Sequence, residues 1–274
     1  MYYEERGQGP ALLFLHGLGH DHDMWNPQAE YFSETHRVIT MDVRGSGRSP
    51  ALGGWSDVLG RQAVDMRLLL DRAGVERAVV LGENLGGVLA QQFALDYPER
   101  VAGLVLADTF SEARAVENLR TVFTKLGAWA ALPAVMCLPR RTLARATSRQ
   151  YARWPLARGQ QVWSMLRLRR LDTAKIRAAL NHVTLTDQLS EVTCPALCLA
   201  GDQPAVLARL VGQLAAALPD ARVRTIDDCA YPSNLCQPEV FNEEVAGFLQ
   251  EIGWVGDRTL TGRPPVSVQR HDDG

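Results

Sequence analysis

Gly82-Glu83-Asn84-Leu85-Gly86-Gly87 decides how this chain is read. It closes a short apolar run, Ala78 to Gly82, and opens a helical pattern from Leu85 to Tyr97. A G-x-S-x-G segment in that setting marks a sharp strand-to-helix turn that lifts one side chain above a parallel sheet. Its glycines stand where neighbouring backbone leaves no room for a Cβ. Here the glycines are present and the central serine is Asn84. An amide is no nucleophile, so the turn is kept and its reactive atom is not.

Working outward from the turn, apolar β-rich runs alternate with longer helical patterns, the signature of a parallel sheet covered by helices on both faces. The runs Ala11 to His16, Arg37 to Val43, Ala78 to Gly82, Val101 to Ala107, Ala196 to Ala200 and Arg222 to Ile226 read as strands. Helices are predicted at Trp55 to Ala73, Leu85 to Tyr97, Val206 to Leu218 and Pro238 to Ile252. The last begins with proline in its first turn and is followed by Gly253, a sound start and stop. The alternation ceases after Asp108-Thr109 and resumes at Ala196, a gap too long for a loop. The intervening stretch reads as a helical cap over the carboxyl edge of the sheet, with Trp129, Trp154 and Trp163 as candidate substrate-binding residues or as packing between cap and core. The division is therefore core (1–109 and 186–253), cap (110–185) and a polar tail (254–274) expected to be flexible.

Composition narrows the class. With 274 residues and 46% hydrophobic content the chain can bury a full core, and a net charge of -2 gives no reason to expect nucleic acid. The charge is uneven: from Phe110 to Asp187 there are fourteen Lys/Arg against four Asp/Glu. This basic cap reads as a solvated face or as a docking surface for an anionic or carrier-bound small-molecule substrate, an acyl carrier protein among the candidates. Five cysteines, an odd number without paired ligand spacing, read as reduced thiols, with no metal and no cofactor expected. The opening Met1-Tyr2-Tyr3-Glu4-Glu5-Arg6 has no signal-peptide pattern, and no apolar run is long enough for a membrane span, so a cytoplasmic location is expected.

Four segments in order resemble the α/β-hydrolase family, especially its branch of small lactonases, esterases and C–C hydrolases with a helical cap. Phe14-Leu15-His16-Gly17-Leu18-Gly19 is similar to the family's H-G turn, where the N–H of Leu18 would contribute to an oxyanion hole together with that of Leu85. Asp42-Val43-Arg44-Gly45-Ser46-Gly47-Arg48-Ser49 matches the family's D-x-R-G-x-G-x-S loop over eight residues. The elbow at Asn84 and the strand ending Leu106-Ala107-Asp108-Thr109 come third. Last, Cys194 to Asp202 resembles the strand before the catalytic acid, and Asn234 to Glu239 the segment after the catalytic histidine. The resemblance implies an α/β-hydrolase fold and places the triad at Asn84, Pro204 and Tyr231, with Asp202 two positions early for the acid. His16 would brace the H-G turn.

A serine-histidine-acid triad works as a unit, so its joint absence is chemically coherent. What remains is a set of hydrogen-bond partners: the N–H groups of Leu18 and Leu85, the Asn84 amide and the Tyr231 phenol, whose ordinary pKa of about 10 keeps it protonated at neutral pH. Such donors stabilise developing oxyanions by about 3 kcal/mol each. The leading expectation is a non-hydrolytic, cofactor-independent cyclase, isomerase or lyase acting on a small, polyketide-like molecule. One alternative is an ester or lactone hydrolase using substitute residues, with Asp108, His20 and Asp202 as additional site candidates and His22 near them. Another is an inactive ligand-binding or scaffold protein, since a fold does not fix a function.

Overall fold

The computed structural model describes residues 1–113, 137–256 and 269–271. Among these residues eight strands form one sheet: β1 (Tyr3–Arg6), β2 (Ala11–Leu15), β3 (Arg37–Met41), β4 (Ala78–Glu83), β5 (Val101–Ala107), β6 (Ala196–Gln203), β7 (Ala221–Ala230) and β8 (Gln269–His271). Their spatial order is β7-β6-β5-β4-β2-β3-β1-β8. All neighbours from β7 to β3 are parallel, while β1 runs antiparallel to β3 and β8 antiparallel to β1.

Side chains alternate across the pleat, so each strand feeds both faces. With α1 (Asn26–Phe32) on the other face, Leu13, Leu15, Ile39, Met41 and Val80 join a core packed by helices α2 (Val58–Arg72) and α3 (Leu85–Asp96). Leu12, Phe14, Val38, Val79 and Leu81 join the opposite core, with Trp25, Phe32, Phe241 and Phe248. Both faces being covered, β2 and β4 are buried at every residue. On α2 the buried positions Val58, Gln62, Met66, Leu69 and Leu70 recur at helical spacing, which is why that sequence holds one face to the sheet.

The chain leaves β2 for β3 on one side, then crosses back to β4 on the other. Reversal of strand order opens a crevice at the carboxyl ends of the flanking strands, the usual ligand position in open α/β sheets. Here those ends carry the turn after β2 and the elbow after β4. Among the described residues three helices of eleven residues or more, Arg140–Gln150, Pro155–Arg167 and Arg170–Leu180, lie between β5 and β6, and a bridge between Glu112 and Thr184 closes the base of this insertion. Within 254–274, read from sequence as a flexible tail, Gln269–His271 instead extends the sheet along β1.

Candidate active site

Asn84 has φ 50 and ψ -107, backbone that an L-residue adopts only under strain. Three hydrogen bonds hold it there: its N–H donates to Ala107 O (3.0 Å), and its carbonyl accepts from Val88 N–H (3.1 Å) and the Thr109 hydroxyl (2.7 Å). The flanking glycines are sterically required, since a Cβ on Gly86 would lie 2.0 Å from Leu15 O. Among the described residues the Asn84 side chain makes no hydrogen bond, and it is partly exposed. Leu85 N–H opens α3 and belongs to the first turn, whose N–H groups have no partner within the helix.

The turn after β2 is built around His16 and Gly17. His16 is fully buried; its Nε2 accepts Val43 N–H (3.1 Å) and its Nδ1 donates to Gly17 O (2.8 Å), so the ring is a neutral brace. His20 N–H then donates to Gly17 O (3.1 Å), which folds Leu18 and Gly19 into a tight turn and returns His20 over Gly17. A Cβ on Gly17 would lie 2.6 Å from the Tyr231 hydroxyl, 3.5 Å from His20 Cδ2 and 3.6 Å from Glu83 O, the carbonyl immediately before Asn84. Groups from β2, β4 and the segment after β7 therefore converge on one glycine. The His20 and Tyr231 rings meet edge to face at 6.3 Å.

Burial sets the protonation of these groups. It pushes His20 down to about 3, with His16 adding to the effect, so the imidazole is neutral at neutral pH. Its Nδ1 lies 3.0 Å from the Ser164 hydroxyl of the cap. Burial also pushes the Tyr231 phenol well above its ordinary value, helped by Glu83, Tyr151 and Asp108, so the hydroxyl stays protonated. His22, by contrast, is drawn away to Asp42, 2.8 Å from its Nδ1.

Asp108, at φ 47, is fully buried and accepts Gly201 N–H (3.1 Å) and Ser233 N–H (2.7 Å). Asp202 accepts Cys229 N–H (2.9 Å), which lowers its pKa and ties β6 to the end of β7. Pro204, in the seat assigned to an acid, precedes the helix Ala205–Ala217. Trp129 lies outside the described residues. Trp154 is partly buried and donates from Nε1 to Asp228 O (3.3 Å), a brace between cap and β7. Trp163 is 47% exposed, with the Arg167 guanidinium over its ring at 5.0 Å. A small cavity of about 40 Å³ is lined by His20, Asp21, Ser46, Ser164, Arg167 and neighbours; a larger cleft of about 390 Å³ lies away from the elbow, between Phe110–Glu112 and Leu210. Neither tryptophan lines either one. Among the described residues no cluster of His, Cys, Asp or Glu has the grouping of a metal site, and no helix is long and apolar enough to cross a membrane.

Sequence reasoning passed over two groups. Glu83, fully buried beneath the elbow, had a readable signal: an acid within an otherwise apolar strand end. Ser164 had none, because its partner lies 144 residues away.

The family described as alpha/beta hydrolase fold matches residues 10–231. Two curated proteins named "Putative carbamate hydrolase RutD", from Azorhizobium caulinodans and Variovorax paradoxus, are each 31% identical over 267 residues. The matches cover 92% and 93% of this chain and 96% and 98% of those proteins. A solved hydrolase from Pseudomonas aeruginosa PA01 is 26% identical, with a TM-score of 0.75 over 90% of this chain and 93% of its own. This finding overturns the expectation of a non-hydrolytic cyclase, isomerase or lyase: relatives matched over nearly the whole chain carry hydrolase names. That expectation took the reaction class from the replaced triad and the kept oxyanion framework, and such a framework also serves an ester or carbamate bond cleaved by direct attack of water.

Proposed function

This chain belongs to the alpha/beta hydrolase fold family, and from that premise we propose that it hydrolyses a small ester, lactone or carbamate by direct attack of water, without an acyl-enzyme. The observation that carries this reading is the convergence on Gly17 of the Tyr231 hydroxyl and the His20 ring beside the elbow. The N–H groups of Leu18 and Leu85 receive the carbonyl oxygen as it becomes an oxyanion. Asn84, which both donates and accepts, holds the attacking water where a serine would otherwise stand. His20, neutral and oriented by Ser164, takes the proton of that water. A base that weak accepts it only as negative charge passes to the carbonyl oxygen, so polarisation and proton transfer are concerted. The Tyr231 phenol then gives its proton to the leaving oxygen or nitrogen, and the His20 imidazolium, an acid far stronger than the phenol, returns the water's proton to the Tyr231 oxygen, so that both groups end as they began.

The test is a panel of neutral esters, lactones and carbamates. Turnover above buffer is expected, with no adduct on the quenched protein by mass spectrometry, and with kcat/KM reduced about 10²-fold by His20→Gln and by Tyr231→Phe. No turnover of any member overturns the reading. Tight binding with the compound recovered unchanged favours a ligand-binding protein, the reading that the absent serine and histidine support.

A further inference from the structure

We propose that Glu83 and Asp108 are a carboxyl pair sharing one proton, carried on Glu83, and that this proton latches the segment bearing Tyr231 against the elbow. Only its consequence for rate rests on the hydrolase reading.

The pair is placed by the sheet. Glu83 is in register with Ala107 across β4 and β5, so Asp108 is the next residue along the neighbouring strand. Both are wholly buried. Their surroundings are unequal: Asp108 accepts backbone N–H groups from Gly201 and Ser233 at 3.1 and 2.7 Å, whereas neither Glu83 carboxyl oxygen meets a donor in good hydrogen-bond geometry among the described residues, the Ser233 N–H that lies near it being turned to Asp108. Two adjacent carboxylates shielded from solvent carry a penalty that a single proton removes, and the proton resides on the acid with the poorer donors. Burial and the charge of Asp108 raise Glu83 well above its ordinary value, in the direction the geometry requires. The groups facing the pair are Tyr151 from the cap, Cys229 and Tyr231 from the end of β7, and Cys236 beyond it. Phenols and thiols carry no positive charge in any state, so none of these offsets a second negative charge.

The mechanical consequence runs through Ser233. Its N–H donates to Asp108 Oδ2 at 2.7 Å, two residues after Tyr231, whose hydroxyl stands over Gly17. While Glu83 holds its proton, Asp108 is a lone anion fixed between β6 and this segment. When Glu83 ionises, the two carboxylates repel and the anchor of Tyr231 loosens. Glu83 and Asp108 are thus positioning residues.

Infrared spectroscopy of the wild-type protein at neutral pH tests the pair directly. A protonated-carboxyl band that shifts when glutamate is labelled with carbon-13, and does not shift when aspartate is labelled, is expected. Absence of the band, or a shift on aspartate labelling instead, overturns the proposal. The latch is read separately. An acid whose folded pKa is raised binds more protons folded than unfolded, so wild-type stability falls as pH rises above about 4.5. Glu83→Gln cannot ionise and keeps an N–H for Asp108, so its melting temperature should fall less steeply with pH and its alkaline loss of kcat/KM should move to higher pH. An unchanged melting slope sinks the latch. If no substrate is turned over, the infrared and melting measurements still decide the pair, while the hydrolase reading fails alone.

Discussion

At Asn84 the residue's identity and its backbone have separate consequences. The elbow imposes φ 50 and ψ -107 whatever side chain is present. Strain of this kind costs about 1–3 kcal/mol for an L-residue, and Asn84→Gly is expected to raise unfolding stability by about 1 kcal/mol in denaturant titration. A loss of stability would show that the amide contributes more than the strain removes. Asn84→Ser, in turn, should not create a serine hydrolase: the position that the resemblance assigns to the histidine base holds a phenol that stays protonated. Labelling with a fluorophosphonate should leave Asn84→Ser unmodified unless Tyr231→His is added. His20 also marks the acid side of the stability curve. Its pKa is lowered on folding, so the unfolded chain takes up a proton below about 6.5 that the native site refuses until about 3, and stability falls as pH drops through that window. His20→Gln should flatten this acid slope, a change visible in melting temperatures between those limits. Asn84 itself was fully legible in the sequence, because the glycines that demand the turn are local. The neutral state of His20 was not, because it depends on burial by the cap.

Elements divide by how far their signals reach. Strands β2 to β7 were readable, being apolar runs bounded by turns, and their observed limits differ from the sequence limits by a few residues at most. β1 and β8 were not. β1 spans four residues of which three, Glu4-Glu5-Arg6, are charged, and β8 spans three residues in a polar tail; neither is long enough to show a period of two. Both are specified by pairing, which sequence spacing does not express. The cap helix Pro155–Arg167 shows the same limit. Gln160, Ser164 and Arg167, at helical spacing, reach the turn after β2: Gln160 Nε2 to Asp21 Oδ1 (3.2 Å), Ser164 Oγ to His20 Nδ1 (3.0 Å) and Arg167 to Asp21 Oδ2 (3.4 Å). Through Ser164 this face fixes the His20 ring. Ser164→Ala should lower kcat about fivefold, the loss of one orienting hydrogen bond of about 1 kcal/mol, and leave KM unchanged. A rise in KM alone would mean that the helix shapes binding instead.

Across the whole molecule the net charge of -2 conceals a basic insertion against an acidic remainder. Part of that excess is answered locally, by ion pairs of Arg153 with Asp228, Arg167 with Asp21 and Arg169 with Asp172. Of these only Arg153 and Asp228 are exposed at both partners, and a pair of that kind contributes about 1 kcal/mol or less; Asp21 and Asp172 are buried and need their arginines. Arg141, Arg145 and Arg149 stand exposed on the helix Arg140–Gln150, and no acidic residue occurs from position 118 to position 171. A face of one sign attracts the opposite sign over roughly a Debye length, about 10 Å at 0.1 M salt, and the attraction weakens as salt is added. The substrate's charge is therefore readable kinetically. For an anionic or carrier-bound substrate, kcat/KM should fall with ionic strength, and Arg145→Glu with Arg149→Glu should reproduce the fall at low salt. For a neutral ester or carbamate neither change should matter, because a neutral substrate feels no net attraction to a face of one sign. If kcat/KM for both kinds of substrate ignores salt and charge reversal alike, the cap's arginines only solvate the surface, and selection rests on the space around His20 and Tyr231.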